Sequence, residues 1–311
     1  MRKQKFIYII IVLLTLVKSH TINAQTQPMY SQYMFNMMTI NPAYTGNREA
    51  LGVSVIYRNQ WVGLPGSPQT KTASIDGSIS DNRIGLGMQL YDDVLGAEKA
   101  IGFNGSVSAR VHLNEKGILS GGLSFGMMNY RANLTQVPNR FTPDDPAFSQ
   151  NYNQWMTMMG AGIFYNTDHF YLGVSTPNIL PSRISSLDKI SSSIVTLNDY
   201  HFFLNSGIVL DMSEDVKIKP SIMLKVVSGA PLQADLNCNI WLKDVIGFGA
   251  SYRTGDAIVT MIELQASKNL RIGYAYDITI SKLAAYNSGT HELFFRIEFG
   301  GKNIIKSTRY F

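Results

Sequence analysis

The sequence predicts an all-β fold, a 14-stranded antiparallel transmembrane outer-membrane β-barrel preceded by an N-terminal periplasmic arm. Three observations point there: an export signal at the start, a long series of segments whose apolar and polar residues alternate with a period of two, and connections that sort by length between the two ends of those segments. After the export signal no run of 18 or more apolar residues occurs. That excludes a bundle of membrane-spanning helices but not a barrel, whose strands satisfy every backbone group between neighbours.

Residues 1–24 read as a signal peptide. Arg2, Lys3 and Lys5 precede the apolar run Phe6 to Val17, and Ala24 is the small residue after which cleavage leaves Gln25 as the new N-terminus. The apolar run is too short to span a ~30 Å hydrocarbon core as a helix. Cysteine is absent from the cleavage region, which removes a lipoprotein anchor from consideration.

The next segment, 25–49, is read as a periplasmic arm or plug. It carries Met29, Tyr30, Tyr33, Met34, Phe35, Met37, Met38 and Ile40, an apolar load that has to be covered by something. Two readings stand side by side. The arm folds into or across the mouth of its own barrel, with Asn41-Pro42 and Gly46 turning the chain into the first strand, or it also presents Tyr and Met to a periplasmic partner.

The barrel, 50–299, follows. Alternation is clearest over 101–113, where Ile101, Phe103, Val107, Val111 and Leu113 interleave with Asn104, Ser106, Ser108, Arg110 and His112. It returns over 216–226 and 232–242. Fourteen such runs are expected at 50–60, 69–80, 83–92, 97–113, 117–131, 155–167, 169–178, 199–212, 215–228, 230–242, 245–254, 256–267, 269–280 and 290–299. Every second connection is short and polar, as at Asp81-Asn82, Thr167-Asp168, Lys243-Asp244 and Lys268-Asn269. The longest ones, 132–154 with Pro138, Pro143 and Pro146, and 179–198 with its serines from Ser185 to Ser193, fall at the opposite end. A soluble β-sandwich or lipocalin-like barrel also alternates but has no reason to sort its connections this way.

If the apolar set faces lipid, the inward set includes Arg58, Asp76, Arg110, Lys217, Lys219, Lys225, Asp235, Arg253, Glu263, Arg271, Asp277, Glu292, Arg296 and Glu298. Both signs are present, which suits an interior of paired charges better than an ion-selective lumen. Tyr57, Trp61, Tyr130, Trp155, Tyr200 and Tyr252, near strand ends, are candidates for interfacial girdles. Residues 300–311 form a C-terminal tail ending Arg309-Tyr310-Phe311.

Charge argues against nucleic acid as a partner. Removing Arg2, Lys3, Lys5 and Lys18 from the 27 Lys and Arg leaves 23 against 22 acids, so the mature chain is nearly neutral. The lone Cys238 cannot form an internal disulfide and falls on the lipid face. Gly122-Leu123-Ser124-Phe125-Gly126 fits the Gly-x-Ser-x-Gly pattern of hydrolases, yet it lies within an alternating strand and lacks the strand-to-helix elbow. His112, His169, His201 and His291 lack metal-ligand spacing. No catalytic residue, cofactor or metal is expected.

An ordered set of short motifs remains: Gln32-Tyr33-Met34-Phe35-Asn36, Asn41-Pro42-Ala43-Tyr44-Thr45-Gly46, Arg58 with Gln60-Trp61, Gly85-Leu86-Gly87, Gly273-Tyr274-Ala275-Tyr276-Asp277 and His291-Glu292. In this order they resemble the PorP/SprF membrane proteins of the type IX secretion system over essentially the whole mature chain. The resemblance implies a non-enzymatic protein of the Bacteroidota cell outer membrane, embedded in its lipid, that serves gliding or adhesin secretion. Its implied partners are the secretion machinery, through periplasmic ring components, or a co-encoded large adhesin with a C-terminal sorting domain. Candidate partner-binding or plug residues are Tyr33, Phe35, Asn36, Asn41, Pro42, Tyr44, Gly46, Arg58, Gln60 and Trp61. Two rivals accompany this reading: a transport barrel for small apolar solutes, and a lipid-modifying enzyme built on Ser124 and His112.

Overall fold

The computed structural model describes residues 29–48, 50–137, 148–180, 182–184, 195–197, 201–227 and 230–299. The signal peptide, the tail from residue 300, Pro138, Pro143, Pro146, Ser185 to Ser193 and Tyr200 lie outside them. Fourteen strands close into an antiparallel barrel: β1 (Leu51–Asn59), β2 (Gln69–Ile79), β3 (Ile84–Leu95), β4 (Glu98–His112), β5 (Ile118–Ala132), β6 (Tyr152–Asn166), β7 (Phe170–Thr176), β8 (His201–Ile208, resumed after Val209 as Leu210–Asp211), β9 (Val216–Val227), β10 (Gln233–Leu242), β11 (Ile246–Arg253), β12 (Ala257–Gln265), β13 (Leu270–Thr279) and β14 (Thr290–Phe299). Each strand pairs with its neighbours in sequence, and β1 closes on β14 from Leu51 opposite Phe299 to Asn59 opposite His291. A small hairpin, Ser182–Ile184 against Val195–Leu197, stands outside the barrel sheet.

Alternation decides which way each side chain points. Phe125 is 61% exposed while its neighbour Ser124 is 5% exposed, and the same contrast runs along every wall strand. The exposed row of Leu, Ile, Val and Phe faces lipid, as expected for an apolar band around a closed barrel. Cys238 is in that exposed row. Of the girdle candidates, Trp155, Tyr57 and Tyr252 point outward. Tyr130 does not: it shares the inward parity of Ser124 and Gly126 and packs against Met128, Met156 and Met158.

One end of the barrel carries the tight turns. Lys243 and Asp244 both have positive φ, 54° and 56°, and Val245 N–H donates to Leu242 O at 3.0 Å, the geometry of a type I′ hairpin. We call this the turn end; β1 begins and β14 finishes there. The loop end holds the longer connections, although Gly96-Ala97 and Thr254 to Asp256 are as short as any at the turn end. Strand limits differ from expectation by two or three residues at several places, with β10 starting at Gln233 and β12 ending at Gln265 among them. β3 continues past residue 92 to Leu95, since Asp93 turns inward to accept from Thr70 Oγ1 and Asp92 pairs with Lys99 at 3.2 Å. β7 stops at Thr176 because Pro177 has no N–H for the ladder. β6 starts at Tyr152, where its pairing with Ala132 of β5 begins.

Candidate functional site

Many inward positions carry short side chains: Ser54, Thr72, Ser74, Ser108, Ser120, Ser124, Ser175, Asn205 and Ser251 are all buried. Side chains fill the interior of a barrel of about eight strands, so a 14-stranded one lined this way needs additional mass. Residues 29–48 supply it. They run through the lumen as three one-turn 3-10 helices, Tyr33–Phe35, Met37–Thr39 and Pro42–Tyr44, and Tyr30 to Arg48 are buried throughout except Thr39, which is half-buried. Asn41 caps the third helix, its Oδ1 accepting from Ala43 N–H at 3.0 Å while its Nδ2 donates to Ile163 O in β6. Pro42 occupies the first helical position, where its missing N–H costs nothing.

Toward the loop end the arm is held by a charged clasp. Arg58 of β1 pairs with Asp277 of β13 at 2.8 Å and Glu292 of β14 at 2.9 Å; Arg253 of β11 pairs with Asp235 at 3.1 Å and Asp277 at 3.3 Å. Ser31 sits at its centre. Its hydroxyl accepts from Arg58 at 2.8 Å and donates to Asp277, and the successive N–H groups of Ser31 and Gln32 donate to the two oxygens of Glu292 at 2.8 and 2.7 Å. The lone pairs of a buried carboxylate are thus met by a cation and two backbone donors, the condition under which a buried ion pair is tolerated.

The middle of the arm is apolar. Phe35 packs edge-on against Trp241 with ring centres 6.4 Å apart and against Phe294 at 6.0 Å; Tyr44 meets Phe164 edge-on at 5.2 Å. Tyr33 is 2% exposed, and its hydroxyl accepts from Asn237 Nδ2 at 2.7 Å; Asn36 donates to Ser74 Oγ at 2.9 Å. At the turn end a second cluster takes over: Arg48 pairs with Glu298 at 3.0 Å and donates to Phe35 O, Arg296 bridges Glu298 and Asp76, and Gly46 N–H donates to Asp76 at 3.0 Å. Thr45 O accepts from both Ser108 and Arg110.

Wall glycines let the arm approach this closely. A Cβ on Gly85 would sit 1.9 Å from Thr45 O, and one on Gly122 would sit 2.3 Å from Ala43 N, both against arm backbone that cannot swing aside. Gly122 is the first glycine of the hydrolase-like pattern. The register puts Ser124 opposite Ser106 and His112 opposite Ile118, six residues apart along β4 and so roughly 20 Å. The pair is not brought together. Among the described residues no group of three or more His, Cys, Asp and Glu is placed to hold a metal ion.

Of the residues singled out from sequence, Tyr33, Phe35, Asn36, Asn41, Pro42, Tyr44, Gly46 and Arg58 all lie within the lumen. Gln60 and Trp61 are half-buried in the β1–β2 connection, where Gln60 N–H donates to Pro68 O and Trp61, with φ of 46°, donates its N–H to Thr290 Oγ1. Ser31, Arg48 and Gly122 are arm contacts that sequence reasoning missed. Arg48 was legible in principle, as a lone cation at the end of an apolar arm facing a set of inward carboxylates.

The profile described as type IX secretion system membrane protein PorP/SprF matches residues 22–297. The chain belongs to this family. PorP/SprF membership and the closed barrel together make it an outer-membrane component of type IX secretion. No curated protein matches it in sequence. Among solved structures, this PorP/SprF chain is similar to the CymD monoaromatic hydrocarbon channel, with a TM-score of 0.51 and 11% identity over 90% of this chain and 96% of that one. It is also similar to the Acinetobacter baumannii outer membrane protein Omp33, at a TM-score of 0.45 and 10% identity over 81% and 99% of the two chains. A Pseudomonas aeruginosa FadL homologue matches at 0.44 and 11% over 88% and 94%. At such identities the CymD likeness speaks for the barrel fold alone.

Proposed function

We propose that this PorP/SprF protein is a non-enzymatic docking barrel, holding secretion machinery or a large adhesin at the outer membrane for export and surface attachment. The observation that carries the reading is the filled lumen. Tyr30 to Arg48, Thr39 apart, are buried from the clasp at Arg58 to the second cluster at Arg48, so the barrel offers surfaces rather than a conduit. With both ends of the barrel sheet on the turn side, that side faces the periplasm by the usual rule for such barrels. The turns then meet the periplasmic ring components or the sorting domain of a cargo adhesin, while the longer loops face outward. The arm supports this by bracing the walls; its Tyr33 and Phe35 meet a partner only if the arm leaves the lumen.

The test is the surface and secreted proteome of a clean deletion strain beside wild type and a complemented strain. Loss of all cargo with sorting domains places the protein in the core machine, and loss of one large adhesin makes it a partner of that cargo. An unchanged proteome overturns the secretion role and brings forward the transport of small apolar solutes.

A further inference from the structure

The direction in which the arm threads the barrel has a topological consequence. Arg48 and Gly46 are bonded to Glu298 and Asp76, close to where β14 finishes and β2 reaches its turn, so the C-terminal end of the arm is at the turn end. Ser31 is bonded to Arg58, Asp277 and Glu292, each within two residues of the loop end of its strand, and Tyr30 Oη is bonded to Thr72, three residues into β2 from that end. Burial follows the same gradient: Tyr30 is fully enclosed and Met29 is half-exposed. The arm therefore climbs the full height of the barrel, with its N-terminal end uppermost.

From this we infer that the chain enters the lumen at the outer mouth, so that the N-terminal end of the arm, at Met29, is presented to the outside although the first strand starts at the periplasmic end. A return to the turn end is too far. The seven residues from Arg58 back to Leu51 cover about 23 Å along the strand, or about 17 Å along the barrel axis at the usual tilt. If cleavage follows Ala24, the four residues 25–28 reach at most about 14 Å, and the lumen they would have to descend is occupied by the arm itself. The arm thus forms one covalent connection between the two faces of the membrane, clasped at each end by charges. A factor outside the cell could then grip a segment whose other end braces the periplasmic mouth. This inference does not depend on the secretion role.

The experiment is cysteine labelling on intact cells with a membrane-impermeant maleimide, in a Cys238→Ser background. Thr26→Cys is compared with Tyr286→Cys in the loop-end connection before β14 and with Lys268→Cys in the turn before β13; both native side chains are exposed. Thr26→Cys is expected to label on intact cells to within about twofold of Tyr286→Cys, while Lys268→Cys labels only after permeabilisation. Labelling of Thr26→Cys that follows Lys268→Cys, or that is absent both before and after permeabilisation, overturns the inference. The two reference positions also fix the orientation of the barrel, and labelling of Lys268→Cys but not Tyr286→Cys on intact cells overturns the surface location as well.

Discussion

Replacing Arg58 with Met removes the cation that joins β1, β13, β14 and the arm. In the native clasp Arg58 is buried and makes two ion pairs under 3 Å as well as a bond to Ser31. Removing one partner from a buried, hydrogen-bonded charge pair costs about 3–5 kcal/mol, because the remaining charge is left without compensation. The two carboxylates do not suffer equally. Asp277 keeps Arg253 at 3.3 Å, whereas Glu292 keeps only the N–H groups of Ser31 and Gln32. We therefore expect a loss near the lower end, about 3 kcal/mol. Adding Glu292→Gln removes the stranded charge and should recover at least ~1.5 kcal/mol relative to additivity, within the range seen for contacting pairs. The assay is equilibrium urea unfolding in lipid vesicles, read by tryptophan fluorescence, to which Trp241 beside Phe35 reports directly on the arm. A cost below about 1 kcal/mol for Arg58→Met, or strict additivity in the double variant, refutes the clasp as described.

Three further predictions follow from the same packing. Gly85→Val, aimed at Thr45 O from 1.9 Å, is expected to leave the barrel folded by gel mobility but to expel the lower arm, seen as new protease cleavage between residues 40 and 48. Phe35→Ala empties the contact with Trp241 and Phe294 and should cost about 3–5 kcal/mol, with a red shift of Trp241 emission as water enters. Ser124→Ala, in a strand position far from any histidine partner on β4, should complement a deletion strain fully in the cargo-secretion assay.

The walls were legible because a period of two leaves little freedom: once Ile101, Phe103, Val107 and Val111 share a face, Ser108 and Arg110 must share the other. The ends of strands were less so, since they depend on single events such as Pro177 stopping β7 or Asp93 finding Thr70. That Met34, Phe35 and Met37 needed cover was also plain from composition. What covers them was not, because the clasp joins Ser31 to Glu292 across 261 positions and no local pattern encodes that contact. Gly122 shows the same gap from the other side. In sequence it belongs to a hydrolase-like pattern, and only the approach of Ala43 shows that its missing side chain makes room for the arm.

A barrel whose lumen is filled by its own arm has only its surfaces to work with. Conductance of the purified, full-length chain in planar lipid bilayers tests this most directly. A filled lumen predicts insertion without steady ion-conducting steps, because the space between Arg58 and Arg48 is packed with side chains and paired charges. Stable ohmic steps from the wild-type chain would contradict it and return the protein to the class of open transport barrels.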